Sequence, residues 1–120
     1  MSNEKVVLVV EDDLAVNKAL VAICKMRGWQ TRSALTIASA MNQLTPPPCC
    51  IVLDLMLPDG DGETVLREVR RRKDNTKVIV TTGSLDRARI QEVEELSDCF
   101  MHKPVDGEAL LQAIGQFMEG

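Results

Sequence analysis

Five strand-like segments alternate with five stretches of helical apolar spacing, and this alternation restricts the possible folds more than any other feature of the chain. The strand-like segments are residues 5–10, 30–34, 50–53, 77–81 and 99–102. A strand followed by a helix returns the chain to the edge where it began, so successive strands pair in parallel. Such crossovers are right-handed and leave helices on both faces of the sheet. Residues 5–10, 50–53 and 77–81 are continuous apolar runs rich in β-branched side chains, as a strand covered on both faces requires. Residues 30–34 are polar and suit a sheet edge. The expected fold is α/β, a five-stranded parallel sheet wound on both faces, in one domain over residues 1–120.

The helical stretches differ in how much they can bury. Val16, Ala19, Leu20, Ile23 and Cys24 share one face of the first, which Gly28 ends. Ile37, Ala40, Met41 and Leu44 repeat at helical spacing after Thr36, a suitable N-cap, and Pro46-Pro47-Pro48 closes that segment. Val65, Leu66 and Val69 form the stripe of the third helix, whose end carries Arg67, Arg70, Arg71, Arg72 and Lys73. Cations at a helix C-terminus are favoured by the macrodipole, so this cluster reads as a solvated helix end. The fourth helix, residues 87–96, has only Ala88, Ile90, Val93 and Leu96 to face inward and is expected to be the most loosely held. The fifth, residues 106–118, buries Leu110, Ile114, Phe117 and Met118.

Composition excludes several function classes. A net charge of −4 argues against nucleic acid as a direct partner. Trp29, Phe100 and Phe117 are the only aromatic residues, too few for base stacking. No stretch is long enough to span a bilayer, and the apolar run at 6–10 is shorter than a signal-peptide core and meets Glu11-Asp12-Asp13 at once. A cytoplasmic protein is expected. Cys24, Cys49, Cys50 and Cys99 lack metal-ligand spacing and read as small thiols in a reducing compartment.

Polar residues gather where the apolar runs end. Asp12 and Asp13 follow the first strand, Asp54 the third, Thr82 the fourth and Lys103 the fifth. In open parallel sheets ligands bind at those carboxyl ends. Neighbouring strands lie about 4.8 Å apart, so the carboxylates must converge and repel unless a proton or cation joins them. An oxygen-only carboxylate set with room for water suits Mg²⁺. Carboxylate, hard cation, hydroxyl and ammonium together make a phosphoryl-transfer site, with Asp54 as acceptor and Thr82 and Lys103 binding phosphoryl oxygens. Pro58, Asp59, Gly60, Asp61 and Gly62 then supply turn chemistry before the next helix.

Two other chemistries draw on similar residues and lack a required one here. A phosphatase of the haloacid dehalogenase type also uses a strand-end Asp with Mg²⁺, but it needs a second Asp two residues on, where Met56 stands. A calcium loop is suggested by Asp59, Asp61 and Glu63, but its sixth position calls for Gly and holds Thr64.

The combination Glu11-Asp12-Asp13, D-L-M-L-P-D-G-D-G from Asp54, Thr82-Gly83 and Lys103-Pro104 resembles the receiver domains of two-component response regulators, over the whole chain. The resemblance implies a flavodoxin-like (βα)5 sandwich of strand order 2-1-3-4-5. It implies that Asp54 is the phospho-acceptor, served by a sensor histidine kinase or histidine phosphotransfer protein. Asp12, Asp13, Asp54 and the backbone carbonyl of Met56 would hold Mg²⁺, with Mn²⁺ as a substitute. Lys103 would pair with Asp54 or its phosphoryl group, and Thr82 and Phe100 would form the switch. Phe100 stands where many members have Tyr, and the Lys103-Pro104 bond is expected to be cis. Such a domain is not an ordinary enzyme; it catalyses its own aspartyl phosphorylation and dephosphorylation. Its fourth helix, fifth strand and fifth helix form the face expected to control an output domain or partner, or to form a phosphorylation-dependent homodimer.

Overall fold

A computed structural model describes residues 4–83 and 86–119. The elements follow in the order β1 (Glu4–Val10), α1 (Leu14–Met26), β2 (Gln30–Ala34), α2 (Ile37–Met41) and β3 (Pro48–Asp54). A short hairpin of β4 (Met56–Leu57) and β5 (Gly60–Asp61) comes next, then α3 (Glu63–Arg72), β6 (Lys77–Thr82), α4 (Arg87–Leu96), β7 (Cys99–His102) and α5 (Gly107–Glu119). Five strands form one parallel sheet in the order β2-β1-β3-β6-β7, as expected, with polar β2 at an edge. The hairpin β4–β5 is antiparallel and separate from the sheet.

Side-chain alternation along the strands divides the core. Leu8, Val10, Ile51, Leu53, Val78 and Val80 face α2, α3 and α4, which add Ala40, Val65, Leu66, Val69 and Val93, joined by Leu44 from the segment after α2. Val7, Val9, Cys50, Val52 and Ile79 face the other way and meet Cys24 of α1 and Leu110, Ile114 and Met118 of α5. The central strands are therefore buried on both faces, which is why they read as unbroken apolar runs. All four cysteines are free thiols; Cys24 and Cys50 are buried, and burial pushes both thiols up from their ordinary pKa.

Helix α1 is rotated from the phase its apolar residues suggest. Val16 is 42% and Ile23 37% exposed, whereas the polar Asn17 is buried beside Cys24. The side chain of Asn17 donates to the carbonyls of Glu11 (3.0 Å) and Ala34 (3.2 Å) and accepts from the Ser33 hydroxyl (2.6 Å). Asn17 thus satisfies backbone at the ends of β1 and β2, and those bonds offset the cost of burying its amide. An apolar periodicity count assigns Asn17 to the wrong side.

The basic end of α3 is also more structural than expected. Arg70 donates to the carbonyls of Leu96 (2.6 Å) and Thr76 (3.0 Å) and pairs with Asp98 at 2.7 Å. Arg71 and Arg72 pair with Glu68 at the surface, and Arg72 also donates to the Thr45 hydroxyl at 3.1 Å. Ahead of α3, Gly62 is required by close packing. A Cβ there would stand 2.5 Å from the Asp54 carbonyl oxygen and 2.9 Å from the Leu55 Cα. The turn before it is pinned by Asp59, whose carboxylate accepts from the backbone N–H groups of Ile37 (2.8 Å) and Ala38 (3.1 Å) at the start of α2. Those bonds hold the Asp59 carboxyl below its ordinary pKa.

Candidate functional site

Asp54 closes β3 at 3% exposure. Its Oδ1 accepts the Met56 backbone N–H at 3.0 Å, and its Oδ2 accepts from the Lys103 ammonium at 2.7 Å. Lys103 follows β7, and its backbone N–H donates to the Thr82 carbonyl at 2.8 Å, which ties the fifth sheet strand's end to β6. The Lys103–Pro104 bond is cis, as the resemblance implied.

The same ammonium reaches Glu11 at 3.1 Å. Glu11 lies just past β1 at 5% exposure, and its other oxygen accepts the Asp13 N–H at 3.0 Å. Burial raises the Glu11 pKa, and the nearby Asp54 charge adds to the rise; the Asp13 N–H and Lys103 offset part of it. Burial alone would lower the Lys103 pKa, but its bonds to Asp54 and Glu11 outweigh that and hold the ammonium charged.

Carboxylate oxygens of Glu11, Asp12 and Asp54 lie within 4.8 Å of one another. Of the expected Asp12, Asp13 and Asp54, this group contains Asp12 and Asp54, with Glu11 in place of Asp13. Asp13 is the N-cap of α1, its Oδ1 accepting from Ala15 (3.0 Å) and Val16 (3.2 Å). Its position immediately before the first apolar helical residues was the available signal for a cap. Glu11 carries a sequence signal of its own. It directly continues a fully buried strand, so its first carbons are carried into the rim with Asp54.

Thr82 ends β6 with a fully buried hydroxyl that has no hydrogen-bond partner among the described residues. Buried hydroxyls are ordinarily paired, so this one is a donor without a local acceptor. Phe100 lies on β7, partly buried against the α2–α3–α4 side of the core. Its ring meets His102 edge-on at 5.0 Å. Met56 is 64% exposed at the mouth, next to Asp54 in the chain's turn into the hairpin. A cleft of about 440 Å³ opens between α1 and α5 beside the rim, with Glu11, Lys103, Thr81 and Val105 among its walls.

A buried carboxylate held by an ammonium, two more carboxylates within reach and an unpaired hydroxyl share one rim, a set of groups chemically suited to an oxyanion and a cation. The sequence model of the response regulator receiver domain family matches residues 7–115. The acid tolerance regulatory protein ActR of Rhizobium meliloti (strain 1021) is 33% identical over 94% of this chain and 59% of its own length. The chain thus spans only part of that relative. Sporulation initiation phosphotransferase F of Bacillus subtilis (strain 168) is 29% identical over 98% of this chain and 96% of its own. In structure, the non-phosphorylated HemR receiver domain of Leptospira biflexa superposes with a TM-score of 0.88 at 24% identity, over 98% of this chain and 96% of that one. Among the described residues no helix is long and apolar enough to cross a membrane. The chain belongs to the response regulator receiver domain family.

Proposed function

We propose that Asp54 accepts a phosphoryl group from a phosphohistidine of a sensor kinase or phosphotransfer protein, and that the added charge resets the face formed by α4, β7 and α5. The observation that carries this reading is the Asp54 carboxylate, 3% exposed, with Lys103 on one oxygen and the Met56 N–H on the other. These donors hold the carboxylate in one orientation for in-line attack on phosphorus. A P–O bond forms as the P–N bond to the donor histidine breaks, and the leaving imidazole keeps the electron pair and is neutralised by a proton. The Lys103 ammonium then stabilises charge on the transferred group.

Glu11, Asp12 and Asp54 against one ammonium leave surplus negative charge in an all-oxygen set, which fits Mg²⁺ or Mn²⁺. The carbonyl of Met56 would complete the protein's share of the ligands. Bound there, such a cation neutralises phosphoryl oxygens. Exposed apolar residues near the mouth, Leu14 at 51% and Met56 at 64%, suit docking of the phosphodonor protein.

The switch follows from the unpaired Thr82 hydroxyl. A phosphoryl oxygen offers it the acceptor that the described residues lack. Its movement vacates space beside β7 that the partly buried Phe100 ring can fill, which changes the surface offered to an output domain, a partner or a second copy. The test is intact-mass measurement after incubation with acetyl phosphate. One phosphoryl adduct is expected with Mg²⁺, and none with EDTA or in Asp54→Ala. An adduct that survives Asp54→Ala, or forms equally in EDTA, removes the assignment.

A further inference from the structure

We propose that Arg89 is a positioning residue that latches α4 to the hairpin beside Asp54 and thereby opposes phosphorylation; this rests on the reading of Asp54 as phospho-acceptor. Arg89 lies in the first turn of α4 and reaches Asp61 at 2.6 Å and Glu63 at 3.0 Å with one nitrogen. Glu63 also takes Arg67 at 2.6 Å, and Arg67 reaches back to Glu92 on α4. The result is a seam of alternating charge from the hairpin, along α3, to the middle of α4.

This seam does what apolar packing does elsewhere in the molecule. Val93 is the only fully buried residue among those described in α4. The acceptor at the centre of the seam is well placed: the Glu63 side chain is 15% exposed. Burial works against its charge, but the bonds from Arg67 and Arg89 outweigh burial and hold its carboxyl below the ordinary value. Arg89 is raised in turn, first by its bond to Glu63.

The other end of the latch leads to the phospho-acceptor in two short steps. Asp61 pairs with Met56 across the hairpin, and the Met56 N–H donates to Asp54 Oδ1 at 3.0 Å. Gly62, the next residue, donates to the Leu55 carbonyl at 2.7 Å and packs against the Asp54 carbonyl. The Arg89 anchor therefore sits on the segment that orients the reacting carboxylate. The latch accompanies an arrangement in which Lys103 bonds Asp54 Oδ2 directly and the Thr82 hydroxyl has no partner among the described residues, the arrangement a phosphoryl group on Asp54 would replace. If phosphorylation moves α4, the Arg89 bonds must stretch or exchange partners, and their free energy is charged against the phosphorylated state. Coupling of this kind is reciprocal: whatever phosphorylation does to the latch, opening the latch does to phosphorylation. Arg89 and Asp61 are partly exposed, so salt should weaken the latch.

The experiment titrates beryllofluoride, a phosphoryl mimic, into the Mg²⁺-loaded protein, and separately follows amide hydrogen exchange of α4 without beryllofluoride. In Arg89→Ala, beryllofluoride is expected to bind several-fold tighter than in wild type at low salt, and α4 amides to exchange several-fold faster. Added KCl should raise wild-type affinity towards that of the variant. Arg89→Lys, which keeps the charge but loses the planar fork, should fall between them. Asp61→Asn weakens the hairpin end without touching α4 and should shift both readouts in the same direction by a smaller factor, because Glu63 still holds Arg89; it also serves if Arg89→Ala does not fold. Unchanged or weaker beryllofluoride binding in these variants overturns the latch. If wild type binds no beryllofluoride, the phospho-acceptor reading fails, and unchanged α4 exchange in the variants then overturns the latch independently.

Discussion

Helices α3 and α4 lie on the same side of the sheet and are held there by different forces. The inner face of α3 consists of Val65, Leu66 and Val69, all buried against the strands. In α4, Val93 is buried, Leu96 is partly so, and much of the remaining attachment runs through guanidinium groups, in pairs with carboxylates of α3 and the hairpin and from Arg70 to the Leu96 carbonyl. Apolar packing is close-fitting and short-ranged, so a helix held by it has one position. Ion pairs near the surface contribute little each and can re-form after a shift of the helix. The difference teaches where a switch can be built: in the element that sheet packing constrains least.

The sharpest way to break this comparison is to truncate one leucine on each helix. Leu66→Ala should cost about 2–5 kcal/mol in urea-unfolding free energy, since the side chain is fully buried. Leu96→Ala should cost less than about 2 kcal/mol, because its site is partly open and can collapse. Equal losses would mean that α4 is packed as firmly as α3.

The glycines that precede the two helices make a second, smaller contrast. Gly62→Ala drives a methyl into the Asp54 and Leu55 backbone and should cost about 1–3 kcal/mol. Gly83→Ala meets nothing within 4 Å and should stay within about 0.5 kcal/mol of wild type. Urea midpoints at matched slope read both, and a neutral Gly62→Ala would show that the rim backbone yields.

The smallest expected effect is in the pH dependence of α4. Glu63 has a folded pKa below its ordinary 4.5, so its contribution is present above 4.5 and lost as pH falls through the folded value. Protection of α4 amides, corrected for intrinsic exchange rates, should be flat from neutral pH to about 5 and decline below 4.5, with α3 lagging behind. Simultaneous loss in both helices would report global acid unfolding instead.

Much of this was legible in the residue string because it depends on period and order alone. Burial of the three central strands and the gathering of Asp54, Thr82 and Lys103 at one rim follow from alternating segments and the rules of parallel crossovers, whereas the strand order was implied by the family resemblance alone. The thin inner stripe of α4 was likewise visible, since counting apolar residues measures what a helix can bury. The two-residue strands of the hairpin were not, because a turn of Pro58, Asp59 and Gly60 has no periodicity to read.

What the tertiary structure decided was which partner each polar group takes. Glu11, Asp12 and Asp13 are three adjacent acids in sequence, yet one is buried on Lys103, one is exposed beside it and one caps α1. Asn17 faces inward against the helix's apolar phase because two carbonyls and a hydroxyl wait for it there. Arg89 and Arg70 are equivalent letters in basic, exposed-looking stretches, and only their neighbours from other elements make one a latch to the hairpin and the other a brace for β6 and α4. Hydrophobic burial is additive and non-directional, so a one-dimensional pattern predicts it. Hydrogen bonds and ion pairs are directional and need a specific atom at about 3 Å, and that atom usually comes from a distant part of the chain.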